Sequence, residues 1–453
     1  MITYTQPPQN VVYAMDKNGI GHIKIAFKAT GKDVKLELNN LTTKEKIPVV
    51  LKVENATDYS AQLDLPKGDY QYIISEIPLE QSLVPIPPIE INFSVGRVLV
   101  VMGHSLANCN GEKWVTDKRV RIVENYDAKT QLKFRDEALY KNQQYRTCQE
   151  IWEEKKSLPE GERREYEIGI WGILAEKIAQ RDECSVAIVN VAMGGSSVKM
   201  WADEAMSRPF NHGFGAADPN VPDQTLYNSG IPYFHLHNVL KHIVNSTGVT
   251  SVLCMHGEND MSTDTQTLAK YYTEVITSAR TVIPDLPFVL GKSAWLVNSA
   301  KGVTQANIDN VLAAVDETVK ANKNVFVGAD SHLLPMSYRG LNNADDEHFN
   351  SDGGKEVARL WSLVLTNDFL NNLSKEVVAI STPDKTTVVN NPLITASDDV
   401  ATQFQFPFIA ALFILVLTVV LRLTGMKIPT IFMLIITGSV FGGSYLVQKL
   451  IKS

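Results

Sequence analysis

The chain has little cysteine: four residues in 453, Cys109, Cys148, Cys184 and Cys254, with no CxxC pair and no Cys/His ligand spacing. Neither a disulfide framework nor a zinc site is implied, and no metal or organic cofactor is expected. An excess of positive charge is also missing. Forty-three Lys and Arg stand against fifty Asp and Glu, a formal net charge of -7, which argues against a nucleic-acid partner. The start, MITYTQPPQNVVYAMDKNG, lacks a basic segment followed by an apolar one, so no secretory signal is expected there.

What is present changes along the chain. Over residues 1–95, IKIAFKA, VKLELNN, VVLKVEN and AQLDLPKGDYQYIISEI alternate apolar and polar residues between Gly and Asn turns. This predicts a small β-sandwich of immunoglobulin type. From Val98 short continuous apolar runs take over: VLVVM, SVAIVNVA, TSVLCM, PFVLG and NVFVGA. Such runs suit strands buried on both faces of a parallel sheet. Helical patterns separate them; the clearest places Val357, Leu360, Trp361, Val364 and Leu365 on one face. Strand and helix in alternation predict an α/β, doubly wound parallel-sheet domain over 96–372. Its ligand site is expected at the carboxyl ends of the strands. Residues 112–165 read as a polar insertion.

Residues 373–403 lack a sustained period and read as a linker. Beyond them lie two charge-free apolar spans, Phe406–Leu421 and Ile428–Val447, separated by RLTGMK. They predict a C-terminal transmembrane helical hairpin over 404–453, hence a membrane location. Gly438 and Gly442 have the spacing that brings membrane helices together, a route to a homo-oligomer. The loop (Arg422, Lys427) and tail (Lys449, Lys452) are equally basic, leaving the side of the catalytic domain open.

Small polar clusters end three of the apolar runs: Gly103-His104-Ser105, Gly194-Gly195-Ser196 and Gly257-Glu258-Asn259-Asp260. A fourth, ADDEHFNSDGG, holds Asp345 and His348 just before the last helix. The chemistries are complementary. A serine hydroxyl is a weak nucleophile until a base takes its proton, and an imidazole titrates in the right range. A carboxylate three residues before His348 can fix its tautomer. A Gly backbone N–H of the second turn, with the Asn259 side-chain amide, could hold the oxyanion. Asp346 lies beside Asp345, and the DxxH spacing favours Asp345. Trp201 is a candidate for stacking on a sugar ring or for packing.

These four segments resemble the blocks of the SGNH (GDSL-like) hydrolase superfamily, and within it the sialate O-acetylesterase-type carbohydrate esterases. The resemblance covers residues 90–370: VGRVLVVMGHSLAN, NVAMGGSSVKMW, CMHGEND and DDEHFNSDGGKEVARLW. It implies Ser105 as nucleophile, His348 as base, Asp345 as its orienter, and Ser105, Gly195 and Asn259 as the oxyanion hole. His104 and His256 stand where that family has glutamine, as groups that tune the site or contact substrate. The expected protein is a membrane-anchored serine esterase acting on an acylated carbohydrate. An O-acyltransferase with the same triad and a non-catalytic, membrane-tethered glycan-binding protein are the alternatives.

Overall fold

The computed structural model describes residues 2–76, 87–108, 115–124, 135–140, 144–155, 169–208, 232–295, 303–340 and 347–373. All lie in one compact unit, Met1–Val388; a second unit, Val389–Ser453, lies outside the described residues.

Twelve strands form one mixed sheet. The parallel part runs in the order β7 (Val120–Glu124), β9 (Ser185–Asn190), β6 (Ile89–Gly103), β10 (Ser251–His256), β11 (Phe288–Lys292) and β12 (Val325–Asp330). β8 (Gln144–Arg146) closes the β7 edge in antiparallel pairing. The apolar runs become the central strands because both faces are covered. Val98, Val100 and Met102 of β6 point into one core, with the helices Thr265–Arg280 and Gln305–Ala321. Leu99 and Val101 point into the other, with Gly169–Asp182 and Ser351–Val364. There the Trp171 and Trp361 rings meet edge to face at 5.5 Å.

The sheet does not stop at the expected boundary between residues 95 and 96. β6 passes straight through it: residues 89–95 pair antiparallel with β5 (Gly68–Glu76), and 96–103 pair parallel with β9 and β10. β3 (Ile20–Asn40) pairs with β1 (Ile2–Gln6), β4 (Lys46–Pro66) and β5, while β2 (Val11–Ala14) lies parallel to β6. The fold is therefore corrected from a parallel sheet with an attached sandwich to one mixed sheet. The cause is the 15-residue length of β6, long enough to serve both pairings.

The C-terminal transmembrane hairpin is corrected too. No helix among the described residues is long and apolar enough to cross a membrane. A crossing needs about 20 apolar residues; the longest described helix, Gln305–Ala321, has 17 and carries Asp309, Asp316, Glu317 and Lys320. The span 404–453 lies outside the described residues. Membrane anchoring, a membrane location and oligomerisation through membrane helices are accordingly withdrawn.

Candidate active site

Four chain segments converge at the carboxyl ends of β6, β9 and β10. β6 ends on Gly103 at φ +151°, and a Cβ there would meet the Met255 carbonyl of β10 at 2.2 Å. Only glycine permits this close approach. The chain then turns into the short helix Ser105–Asn108 with Ser105, partly exposed, as its first residue. The Ala107 N–H bonds the His104 carbonyl and the Leu106 N–H reaches His104 Nδ1 at 3.3 Å. The Ser105 N–H has no partner among the described residues.

The second segment follows β9. Met193 N–H bonds the Gly103 carbonyl, and Gly195 takes a left-handed φ of +71°. Gly194 lies directly against Ser105: a Cβ on it would sit 3.8 Å from the Ser105 Cβ. The third segment, after β10, presents an exposed Asn259 whose amide donates to the Ser196 carbonyl at 2.9 Å. Asp260, buried, accepts the Val198 N–H with both oxygens at 2.9 and 3.0 Å. These bonds tie the Gly-Gly-Ser turn to the Glu-Asn-Asp turn.

The fourth segment brings His348. Its carbonyl accepts the Gly340 N–H, and Asn350 caps the helix Ser351–Val364 while its amide bonds the Ser337 and Arg339 carbonyls. So anchored, His348 places Nε2 2.7 Å from Ser105 Oγ, across 243 residues of sequence. Asp345 and Asp346 lie outside the described residues.

His104 and His256 do not face substrate, since both are fully buried. Trp201 is buried as well, its indole N–H on Ser196 Oγ at 2.9 Å and its ring beside His256. It packs and leaves no face open for a sugar. His104 Nε2 contacts Glu258 Oε2 at 2.8 Å, and Ser293 Oγ donates to Glu258 Oε1 at 2.8 Å. Burial alone would raise the Glu258 carboxyl. The His104 hydrogen bond, the Arg339 guanidinium and the Ser293 hydroxyl outweigh it and hold the pKa down to about 2. Arg339 is itself buried between the Trp295 and Phe349 rings, at 4.4 and 4.5 Å, and bonds the Glu347 carbonyl.

Glu258, Ser293 and Arg339 escape sequence reasoning as partners of the site. Glu258 stands next to Asn259 and is conspicuous, but nothing in its spacing points to His104. Arg339, nine residues before His348, carries no motif at all.

A serine hydroxyl paired with an imidazole at the strand ends of an α/β sheet defines a serine-hydrolase site. Residues 96–364 match the family SASA, described as carbohydrate esterase, sialic acid-specific acetylesterase. The protein belongs to this family, within the SGNH/GDSL-like superfamily, and is a carboxylic ester hydrolase of acetylesterase type. Among solved structures it is similar to a carbohydrate acetylesterase from Xanthomonas citri: 13% identity, 80% of this chain and 74% of that chain covered, TM-score 0.47. A protein from Arabidopsis thaliana is 13% identical over 61% of this chain and 99% of that one, TM-score 0.37. A family two carbohydrate esterase from Clostridium thermocellum, solved with cellohexaose, is 15% identical over 81% and 98%, TM-score 0.33. Comparison with curated proteins gives no match.

Proposed function

We propose that the protein removes O-acetyl groups from a carbohydrate by a Ser-His-Asp mechanism. Ser105 Oγ attacks the ester carbonyl as its proton passes to His348 Nε2. The oxyanion is held by the Ser105 and Gly195 N–H groups and the Asn259 amide. Collapse expels the sugar alkoxide, which takes the proton from His348. Water, deprotonated by His348, then attacks the acyl-serine, releasing acetate and Ser105. Asp345 stabilises the imidazolium in both halves.

The observation that carries this reading is the 2.7 Å contact between Ser105 Oγ and His348 Nε2, within hydrogen-bond reach for proton transfer. Family membership supports the acetyl sugar as substrate. The test incubates the full chain with O-acetylated sialosides and follows the acetyl protons by NMR. Free acetate and deacetylated sugar should appear in equal amounts. Unchanged acetyl signals, or acetyl transferred to an added acceptor sugar in place of release, would contradict the proposal.

A further inference from the structure

Ser105 has a second imidazole beside it. His104 Nδ1 lies 3.4 Å from Ser105 Oγ, and its other nitrogen contacts Glu258. The His104 side chain is 0% exposed and that of Glu258 1%, so neither touches substrate. Whatever they do for the reaction, they do through Ser105.

The hydrogen-bond pattern fixes the proton on the ring. An ionised carboxylate only accepts, so Nε2 carries the hydrogen that faces Glu258. The Leu106 N–H donates to Nδ1, so that nitrogen must present a bare lone pair. The opposite tautomer would set Nδ1–H against the Leu106 N–H, donor against donor. It would also leave Glu258 facing a lone pair. The hydrogen-bonding of Glu258 therefore selects which face of His104 the nucleophile meets.

We propose that His104 and Glu258 are a tautomer-locked positioning pair for Ser105. Keeping the proton off Nδ1 denies Ser105 Oγ a hydrogen-bond donor from that side. The single Nδ1 lone pair is engaged by the Leu106 N–H, so it does not compete with His348 for the hydroxyl proton. By engaging the Leu106 N–H, Nδ1 also fixes the turn that leaves the Ser105 N–H available for the oxyanion. The inference rests on the Ser105–His348 reading above.

His256 meets the His104 ring edge to face at 5.1 Å, and burial lowers its pKa. Asp260 lies 3.7 Å behind His256 and is engaged by the Val198 N–H. Arg339 supplies positive charge to Glu258, and His348 stands on the other side of Ser105. A glutamine amide has a donor group and an acceptor group, so His104→Gln can repeat both bonds. His104→Ala can make neither. Glu258→Gln keeps the shape but can donate as well as accept, which releases the lock.

The test measures kcat and KM for p-nitrophenyl acetate, with thermal midpoints, on the full chain and these variants. His104→Gln should stay within about threefold of the parent kcat, while His104→Ala and Glu258→Gln lose about 10- to 100-fold with KM little changed, the signature of misplaced reacting groups. Should either variant fail to fold, Ser293→Ala removes one bond to Glu258 without removing charge and should show a smaller loss confined to kcat. Parent-like kcat in folded His104→Ala or Glu258→Gln would overturn the inference. So would a folded His104→Gln as inactive as His104→Ala, since the imidazole itself would then be required. An active Ser105→Ala protein would instead remove the reading on which the inference rests.

Discussion

Two buried carboxyl groups, Glu204 and Glu258, sit at opposite extremes. Glu258 has three polar neighbours and is held down to about 2. Glu204 ends the buried face of helix Val198–Ala205 with Arg135 on Oε1 and no partner on Oε2 among the described residues; burial, opposed by Arg135, pushes it up to about 7. The signs follow from linkage. Glu258 binds its proton less tightly when folded, so its stabilisation is present above the ordinary carboxylate range and is lost as pH falls toward 2. Glu204 binds its proton more tightly when folded, so its contribution is full at acid pH and is lost as pH rises through about 7. Thermal midpoints should decline from about pH 4.5 to 7.5, and Glu204→Gln should flatten that decline by about the free energy of a pKa shift of this size. An unchanged slope in the variant would contradict the account.

At the scale of elements, function depends on where strands end. Gly103 is the tightest of these ends, with a Cβ blocked by the β10 backbone rather than by a movable side chain. Gly103→Ala should lower unfolding free energy by about 2–4 kcal/mol in urea titration and reduce kcat as well, since Ser105 is two residues on. A variant with parent midpoint and rate would show that the approach is slack. The central strands were legible because they are buried on both faces and read as continuous apolar runs. β7 was not. Its sequence VRIVE carries Arg121 and Glu124 and lies next to the sheet edge, so it resembled the polar insertion around it. β3 and β4 read as four short strands because turn-forming residues such as Gly31 and Asn55 interrupt the pattern, yet each continues through 21 residues. The pairing of Ser105 with His348, seen as a 2.7 Å contact, was legible through complementary chemistry in strand-end clusters. The Glu258 partnership was not, because it depends on a neighbour 154 residues away.

For the whole molecule, the governing feature is one mixed sheet with helices on both faces, which gathers four distant turns at one end. The apolar C-terminal spans suggested an anchor on composition alone, but composition does not supply a helix that crosses a bilayer, and none is found among the described residues. The central proposal is that Ser105 is the nucleophile and His348 its base, resting on their 2.7 Å contact. The most direct measurement treats the full chain with a fluorophosphonate probe and locates the adduct by peptide mass spectrometry. The account predicts a single modified residue, Ser105, with labelling at least about 10²-fold slower in His348→Ala and absent in Ser105→Ala. An adduct on another serine, or undiminished labelling in His348→Ala, would contradict it.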